Sequence, residues 1–380
     1  MRSFGVCIVA LALVLTACGP FGSKNADDRD WISFAKVRPV IVGQKPKPRP
    51  PVLARYRCGL FGKCTIAEFI QRQNVCALIA VKNDKIRVYQ ETSNHPKCAS
   101  DLRRQRNGLA SVTKSITSLM IGDLLMRKPN LDLDTPIDQA LAPLGIRYPV
   151  KERTIRDLLQ MSSRMVWSER NIEIVRIEKS AGPSDPKTLA EAVRRHLAKA
   201  RFHTGPNADP FNYSGFDTQV LGLILLAHGR GTQAEQFERT LWKMIEGGFE
   251  GKWKADTDKN PSSYCCLQLA PADVAAFGRW VLKQYNSQNG KYQAWLHKSV
   301  SDKRNSDLKC GGQHVQYGYQ WWVLPDPNDG FTAIGQNGQL VHIFPKQNVV
   351  IVQLSAFPGF RDSIARCETF RAHRALADAL

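Results

Sequence analysis

From residue 75 the apolar positions change periodicity along the chain. In "VCALIAVKNDKIRVYQE" (75–91) two β-rich runs meet at Asn83-Asp84, a turn-favouring pair, and the pattern predicts a hairpin. After a polar loop, Ile116, Leu119, Met120 and Leu124 recur at helical spacing within Ser115 to Arg127, which predicts a helix buried along one side. "NLDLDTPID" closes that helix with turn chemistry. From about 150 to 246 the spacing is mostly helical, in "TIRDLLQM", "KTLAEAVRRHLAKAR", "TQVLGLILLAHG" and "TQAEQFERTLWKMIEG", and "APADVAAFGRWVLKQY" adds a further helix. Strand patterns return only late, in "YGYQWWVL", "GFTAI", "GQLVHIFP" and "NVVIVQLSA", before a closing helix in "FRDSIARCETFRAHRALADAL".

Strands at both ends with helices between exclude a repeated βαβ plan, because a parallel sheet needs the two to alternate. The order predicts an α+β fold with one mainly antiparallel sheet, flanked by helices and interrupted by an all-helical insertion. Its sheet-bearing part spans about 67–128 and 247–380, and the insertion about 129–246.

The first residues follow a different rule. Arg2 is followed by an apolar run from Phe4 to Leu15 and then by Thr16-Ala17-Cys18. The run is short of the roughly 20 residues a membrane-spanning helix needs. It resembles a bacterial lipoprotein signal more than an ordinary secretory signal, which implies removal of 1–17 and a lipidated Cys18 at the mature N-terminus. Residues 18–66 then read as a tether, since "VRPVIVGQKPKPRPPV" is rich in proline and basic side chains. The implied location is the bacterial envelope, facing the periplasm. Gly19, in place of an aspartate after the lipidated cysteine, favours the outer membrane.

Composition narrows the partners. The 380 residues carry a formal net charge of +19 with an ordinary 43% apolar content. An exported lipoprotein does not meet nucleic acid, so the charge points to an anionic envelope polymer or lipid by general attraction, or to a solvated basic face. Of ten cysteines, eight remain once Cys7 and Cys18 are set aside, an even number that suits disulfides in an exported chain. Cys58 and Cys64 enclose a short loop and Cys76 and Cys98 flank the hairpin, so these two pairs are expected. Zinc is disfavoured because no C-x-x-C pair occurs and Cys265-Cys266 is not a usual ligand spacing. No metal or organic cofactor is expected.

Candidate chemistry lies in "NGLASVTKSITSLMIG" (107–122). Ser111 and Lys114 are three residues apart, which on a helix sets both on one face. A serine hydroxyl is a poor nucleophile unless a base takes its proton, and a desolvated lysine can be that base. The S-x-x-K pattern occurs four times, at Ser33/Lys36, Ser111/Lys114, Ser184/Lys187 and Ser306/Lys309, but only Ser111 opens an apolar helix. There its N–H lies at the positive end of the helix dipole. By itself the motif reads first as an N-cap serine and a solvated lysine amine, and a second signal is needed. Tyr213, in "PFNYSGFDTQVLGLIL", stands just before another helix, where a phenol can relay a proton to a leaving group.

These stretches together resemble the class C β-lactamase-like serine hydrolases of the penicillin-recognising superfamily. The three motifs are Ser111-Val112-Thr113-Lys114, Tyr213-Ser214-Gly215 and "FTAIGQNGQLVHIFP". Among that family the chain is most similar to the 6-aminohexanoate-dimer (nylon-oligomer) hydrolase branch, in "YSGFDTQVLG" and "GQNGQ". The resemblance implies a β-lactamase/DD-peptidase-like fold. It makes Ser111 the acyl-forming nucleophile, Lys114 its base and Tyr213 the proton shuttle. The third motif becomes an edge strand lining the cleft, with Ala333, Ile334 and Gly335 against the substrate and the Gln336 N–H joining that of Ser111 in the oxyanion hole. Trp167 is a further cleft candidate, equally readable as core, and His342 reads as structural.

Two positions depart from the family pattern. Ala333-Ile334-Gly335 stands where members that bind β-lactams or peptidoglycan stems usually carry a lysine or histidine, and Gly215 replaces a frequent asparagine. Both turn the expectation toward an esterase or amidase acting on a small-molecule or peptide-like substrate. A β-lactamase or DD-peptidase, and a non-catalytic envelope-binding protein that keeps the fold, are the alternatives.

Overall fold

The computed structural model describes residues 31–34, 54–59, 62–92, 98, 107–168, 188–205, 211–245, 251–357 and 362–380. Residues 1–17, read above as a signal, and Cys18 lie outside the described residues. Among those described, no helix is long and apolar enough to cross a membrane.

Two parts of the stretch read as a tether are built into the body instead. Trp31–Ser33 forms β1, and Phe34 behind it is 1% exposed, in edge contact with Phe237. Arg55–Cys58 (β2) and Gly62–Thr65 (β3) form a hairpin stapled by the Cys58–Cys64 disulfide. Proline and charge dominate the stretch between these pieces, and that average hides the aromatic residues at Trp31, Phe34 and Tyr56. Thr65 then caps helix α1 (Ile66–Arg72) in a reciprocal box with Glu68.

The predicted hairpin is present as β4 (Val75–Lys82) and β5 (Lys85–Glu91). Asn83 and Asp84 both adopt left-handed φ, 50° and 62°, as a two-residue hairpin turn requires. Asn107–Gly108 (β6) leads into α2 (Val112–Arg127). The insertion contributes α3 (Ile137–Leu141), α4 (Ile155–Leu159), α5 (Leu189–Leu197), α6 (Gly215–His228) and α7 (Gln233–Phe237). The chain returns through β7 (Lys252–Lys254), β8 (Leu267–Leu269), α8 (Pro271–Asn286) and α9 (Gln293–Ser301). It then lays down β9 (Arg304–Cys310), β10 (Gln313–Tyr317), β11 (Trp322–Val323), β12 (Phe331–Gly335), β13 (Gln339–Phe344) and β14 (Val349–Ser355), and ends in α10 (Ser363–Ala379).

Among the described residues the main sheet has eight strands in the order β5-β4-β14-β13-β12-β11-β10-β9, every neighbouring pair antiparallel. Both ends of the chain meet at β4 and β14, as the order of elements predicted. These central strands are apolar at consecutive positions because both faces are covered. Ile79, Val81, Val350 and Val352 join the cluster containing α2 and α8, while Leu78, Ala80, Val349 and Ile351 join the one containing α1 and α10. A smaller sheet, β1-β7-β8-β6, lies at the entry to α2. Helix α2 is buried on all sides from Val112 to Leu124, not along one stripe. It packs on the sheet side against β12 and on the other side against α6 and α9, so no face is left for solvent. At Gly122 a Cβ would fall 2.5 Å from the Trp295 ring of α9.

His342 on β13 and His373 on α10 form a buried pair, with their Nδ1 atoms 3.3 Å apart. His342 Nε2 donates to the Asp329 carbonyl at 2.8 Å, so its Nδ1 carries no proton in the neutral ring. Burial pushes His342 down to about 3, and burial together with the neighbouring ring pushes His373 well below the usual histidine range. The unfolded chain therefore takes up protons first as pH falls below about 6.5, and the folded state loses stability there, by at most about 1.4 kcal/mol per pH unit per histidine. Melting temperatures recorded from pH 7 to pH 4 should fall, and His373→Gln should fall less steeply. An identical slope in the variant would mean that acid lability arises elsewhere.

Candidate active site

Ser111 is presented by a short strand and a strained turn. Leu109 N–H donates to the Leu267 carbonyl at 2.8 Å, which ties the end of β6 to β8. Ala110 then takes φ 47°, a conformation uncommon for residues other than glycine, and throws the chain into α2. Ser111 stands at the N-cap position with φ −71° and ψ −5°, yet its side chain makes no capping hydrogen bond. Ser214, at the start of α6, does cap, accepting from the Asp217 N–H at 3.1 Å. Capping therefore leaves the Ser111 hydroxyl uncommitted to the helix.

One turn on, Lys114 is 1% exposed. Its Nζ donates to the Tyr264 carbonyl at 3.3 Å and lies 5.2 Å and 5.1 Å from the ring centres of Tyr213 and Tyr264. An amine taken from water is thus met by a carbonyl acceptor and two aromatic rings. Context separates this S-x-x-K from the others. Ser306 and Lys309 lie on β9, where a three-residue separation sends side chains to opposite faces. Lys36, Ser184 and Lys187 fall outside the described residues.

Tyr213 is held from its neighbours. Asn212 N–H and Nδ2 donate to the carbonyls of Met161 and Met165, each at 2.9 Å. The Tyr213 ring packs against Trp322 at 5.5 Å and Tyr317 at 5.8 Å. Asp217 secures the first turn of α6 by accepting from Ser163 Oγ at 2.7 Å, and burial pushes its carboxyl up to about 7 against the pull of Ser163 and Ser214. Lys114 and Tyr213, ninety-nine residues apart, are thereby brought together.

The third motif lies on β12, which is fifth in the sheet and not at its edge. Its neighbour β11 pairs only with Phe331 and Thr332, so Ala333 to Gly335 run on beyond that partner toward the Ser111 turn. At Gly335 a Cβ would stand 2.4 Å from the Leu109 carbonyl and 3.2 Å from Ala110 Cβ. Only glycine allows the strand to approach the turn so closely. Gln336, the next residue, is exposed at the start of a tight turn in which Asn337 has φ 62°. Ala333 is 0% exposed in the main core, and Ile334, 5% exposed, packs in the cluster against which Tyr213 rests. Trp167 is 7% exposed and packs on His196 and Phe216, at 5.4 Å and 5.5 Å, as a core residue would.

Sequence reasoning missed Tyr264, Tyr317 and Trp322. Tyr264 meets Lys114 through its backbone carbonyl as well as its ring, and a carbonyl leaves no trace in residue type. "YGYQWWV" did signal an aromatic strand, but not which rings would reach Tyr213. The expected disulfides Cys58–Cys64 and Cys76–Cys98 are formed, and Cys310–Cys367 and Cys265–Cys266 join them. A cavity of about 420 Å³ lined by Tyr56, Arg57, Leu324, Phe370, Arg371 and Arg374 includes none of Ser111, Lys114 or Tyr213.

Comparison with known proteins supports the fold. A family model for β-lactamases matches residues 69–262. The 6-aminohexanoate-dimer hydrolase of Paenarthrobacter ureafaciens is 22% identical over 270 residues, covering 67% of this chain and 67% of that protein. A Bacillus anthracis structure, provisionally assigned as a 6-aminohexanoate-dimer hydrolase, superposes with a TM-score of 0.69 at 19% identity, over 89% of each chain. A class C β-lactamase from Rhodobacter sphaeroides gives 0.54 at 13% identity, over 82% of this chain and 96% of its own. EstCE1, described as a hydrolase with promiscuous acyltransferase activity, gives 0.58 at 15% identity, over 80% and 98%.

Proposed function

The chain belongs to the β-lactamase family, and from that premise we propose that it is a serine hydrolase acting through an acyl-enzyme on a small ester or amide. The observation that carries this reading is the Lys114 amine, buried one turn from a hydroxyl that does not cap its helix and 5.2 Å from the centre of the Tyr213 ring. Ser111 Oγ attacks the substrate carbonyl while Lys114 accepts its proton. Charge developing on the carbonyl oxygen is met by the backbone N–H groups of Ser111, at the start of α2, and of Gln336, beyond the close contact at Gly335. Tyr213 passes a proton to the departing alcohol or amine, and water then releases the acid by the reverse sequence.

Substrate choice follows from what the third motif lacks. Ala333, Ile334 and Gly335 supply no cation for a substrate carboxylate, and Gly215 supplies no amide. A neutral acyl group suits such a wall better than a β-lactam or a peptidoglycan stem. A 6-aminohexanoate amide is a second class to try, because the Paenarthrobacter ureafaciens relative bears the name of that hydrolase. Lipidation at Cys18 would hold the enzyme at the envelope membrane, where the +18 charge left once Arg2 is removed with residues 1–17 favours anionic neighbours.

Purified protein should turn over a short-chain p-nitrophenyl ester with a kcat/KM at least about ten-fold above that for nitrocefin, and the 6-aminohexanoate dimer completes the panel. Peptide mapping after fluorophosphonate treatment should place the label on Ser111. Label on another residue, or faster turnover of nitrocefin than of the esters, would overturn the assignment.

A further inference from the structure

One strap of backbone, residues 262–269, touches both halves of the site. At one end Ser263 O accepts from Thr117 Oγ1 of α2 at 2.7 Å, and Tyr264 presents its carbonyl and its ring to Lys114. At the other end Leu267 O accepts from Leu109 N–H, and β8 pairs with β6 in the register Asn107↔Leu269 and Gly108↔Gln268. The base is therefore held by residue 264, and the turn that delivers the nucleophile is held by residues 267–269. Only Cys265 and Cys266 lie between, and they are bonded to each other.

A disulfide between neighbouring residues closes an eight-membered ring that includes the peptide joining them, so the backbone there loses most of its torsional freedom. Cys266 has φ 72°, in the left-handed region that a side chain disfavours, and the ring holds it there. The pair is buried, at 6% and 1% exposure, and Trp253 Nε1 braces it from outside by donating to the carbonyls of Ser262 and Cys265 at 2.9 Å and 3.0 Å. Among the described residues the other three disulfides join β2 to β3, β4 to Cys98, and β9 to α10.

We propose that the Cys265–Cys266 disulfide is a positioning element of the catalytic site, setting the Tyr264 carbonyl and strand β8 at a fixed offset so that the Lys114 amine and the Ser111 hydroxyl stay in register. This rests on the serine-hydrolase reading above. It acts through Tyr264 on the base and through Leu267 on the nucleophile's turn. A misplacement of about 1 Å between such groups can cost about 100-fold in rate.

The test compares wild-type protein with C265S/C266S and C265A/C266G, each assayed on a short-chain p-nitrophenyl ester after titration of active sites with a fluorophosphonate. Glycine at 266 accepts the left-handed backbone without the ring, so the second variant separates loss of the ring from loss of the fold. Both variants should show kcat per titrated site at least ten-fold below wild type, with KM within two-fold. A purely structural disulfide would instead lower the titratable fraction and the melting temperature while kcat per site stayed at the wild-type value. That result in C265A/C266G overturns the proposal. Failure of the underlying functional reading shows in a different sample, as wild-type protein that takes no label at Ser111.

Discussion

Ser111→Ala should lose ester turnover by about 10⁴-fold or more, the scale seen when an activated nucleophile is removed from a site whose members act as a unit. Fluorophosphonate labelling should disappear with it. Stability offers a second reading of the same variant. An N-cap serine replaced by alanine ordinarily costs about 1 kcal/mol, because a helix N–H loses its acceptor. Ser111 makes no such bond, so the melting temperature of Ser111→Ala should stay close to that of the parent. A variant that melts well below wild type and keeps measurable turnover would identify Ser111 as a structural cap and remove the basis of the mechanism. Ser214→Ala is the matching control, since its hydroxyl accepts from Asp217 N–H and its loss should lower stability in the ordinary way.

Lys114→Met should lower the rate constant of fluorophosphonate labelling by about 10³-fold, the middle of the range for a lost general base, while whatever label forms still maps to Ser111. Methionine is of similar length and fills the buried channel between the Tyr213 and Tyr264 rings. The Tyr264 carbonyl loses its lysine donor, at a cost of about 1–3 kcal/mol for an acceptor left unmatched. Relief from burying an amine at 1% exposure offsets that loss, so the folded state should be little weakened. Lys114→Arg should not rescue the rate, because a guanidinium does not give up its proton and is too broad for the same space. Labelling of Lys114→Met within a few-fold of wild type would exclude the amine as the base.

Several elements were legible from local pattern alone. The Asn83-Asp84 pair announced its hairpin because a two-residue turn needs left-handed backbone, which these residues tolerate. The runs at 331–335, 339–344 and 349–355 announced strands because a sheet covered on both faces favours mostly apolar runs over simple alternation. Strand β9 was not legible. Its "RNSDLKC" has only Ser306 and Leu308 buried, and the outermost strand of a sheet needs little more than that. Trp31–Ser33 was missed for a related reason, since a three-residue strand finds its partner at Lys252–Lys254, more than two hundred residues away.

The candidate site divides along the same line. Ser111, Lys114 and Tyr213 could be named from the sequence, because the spacing of a serine and a lysine on a helix is a local property and the tyrosine precedes a helix of its own. By itself the chain also determined the α+β order, the meeting of its two ends in one antiparallel sheet, and two of the four disulfides among the described residues. Tertiary structure decided the rest. It set the Lys114 amine between the rings of Tyr213 and Tyr264, brought Gly335 against the Leu109 carbonyl, and buried Ala333 and Trp167 in the core. The physical reason is that these are contacts between backbone groups and between side chains far apart in the chain. Whether a given ring or carbonyl reaches Lys114 depends on how helices and strands pack, and packing is set by the summed shape of many residues, not by the identity of any one.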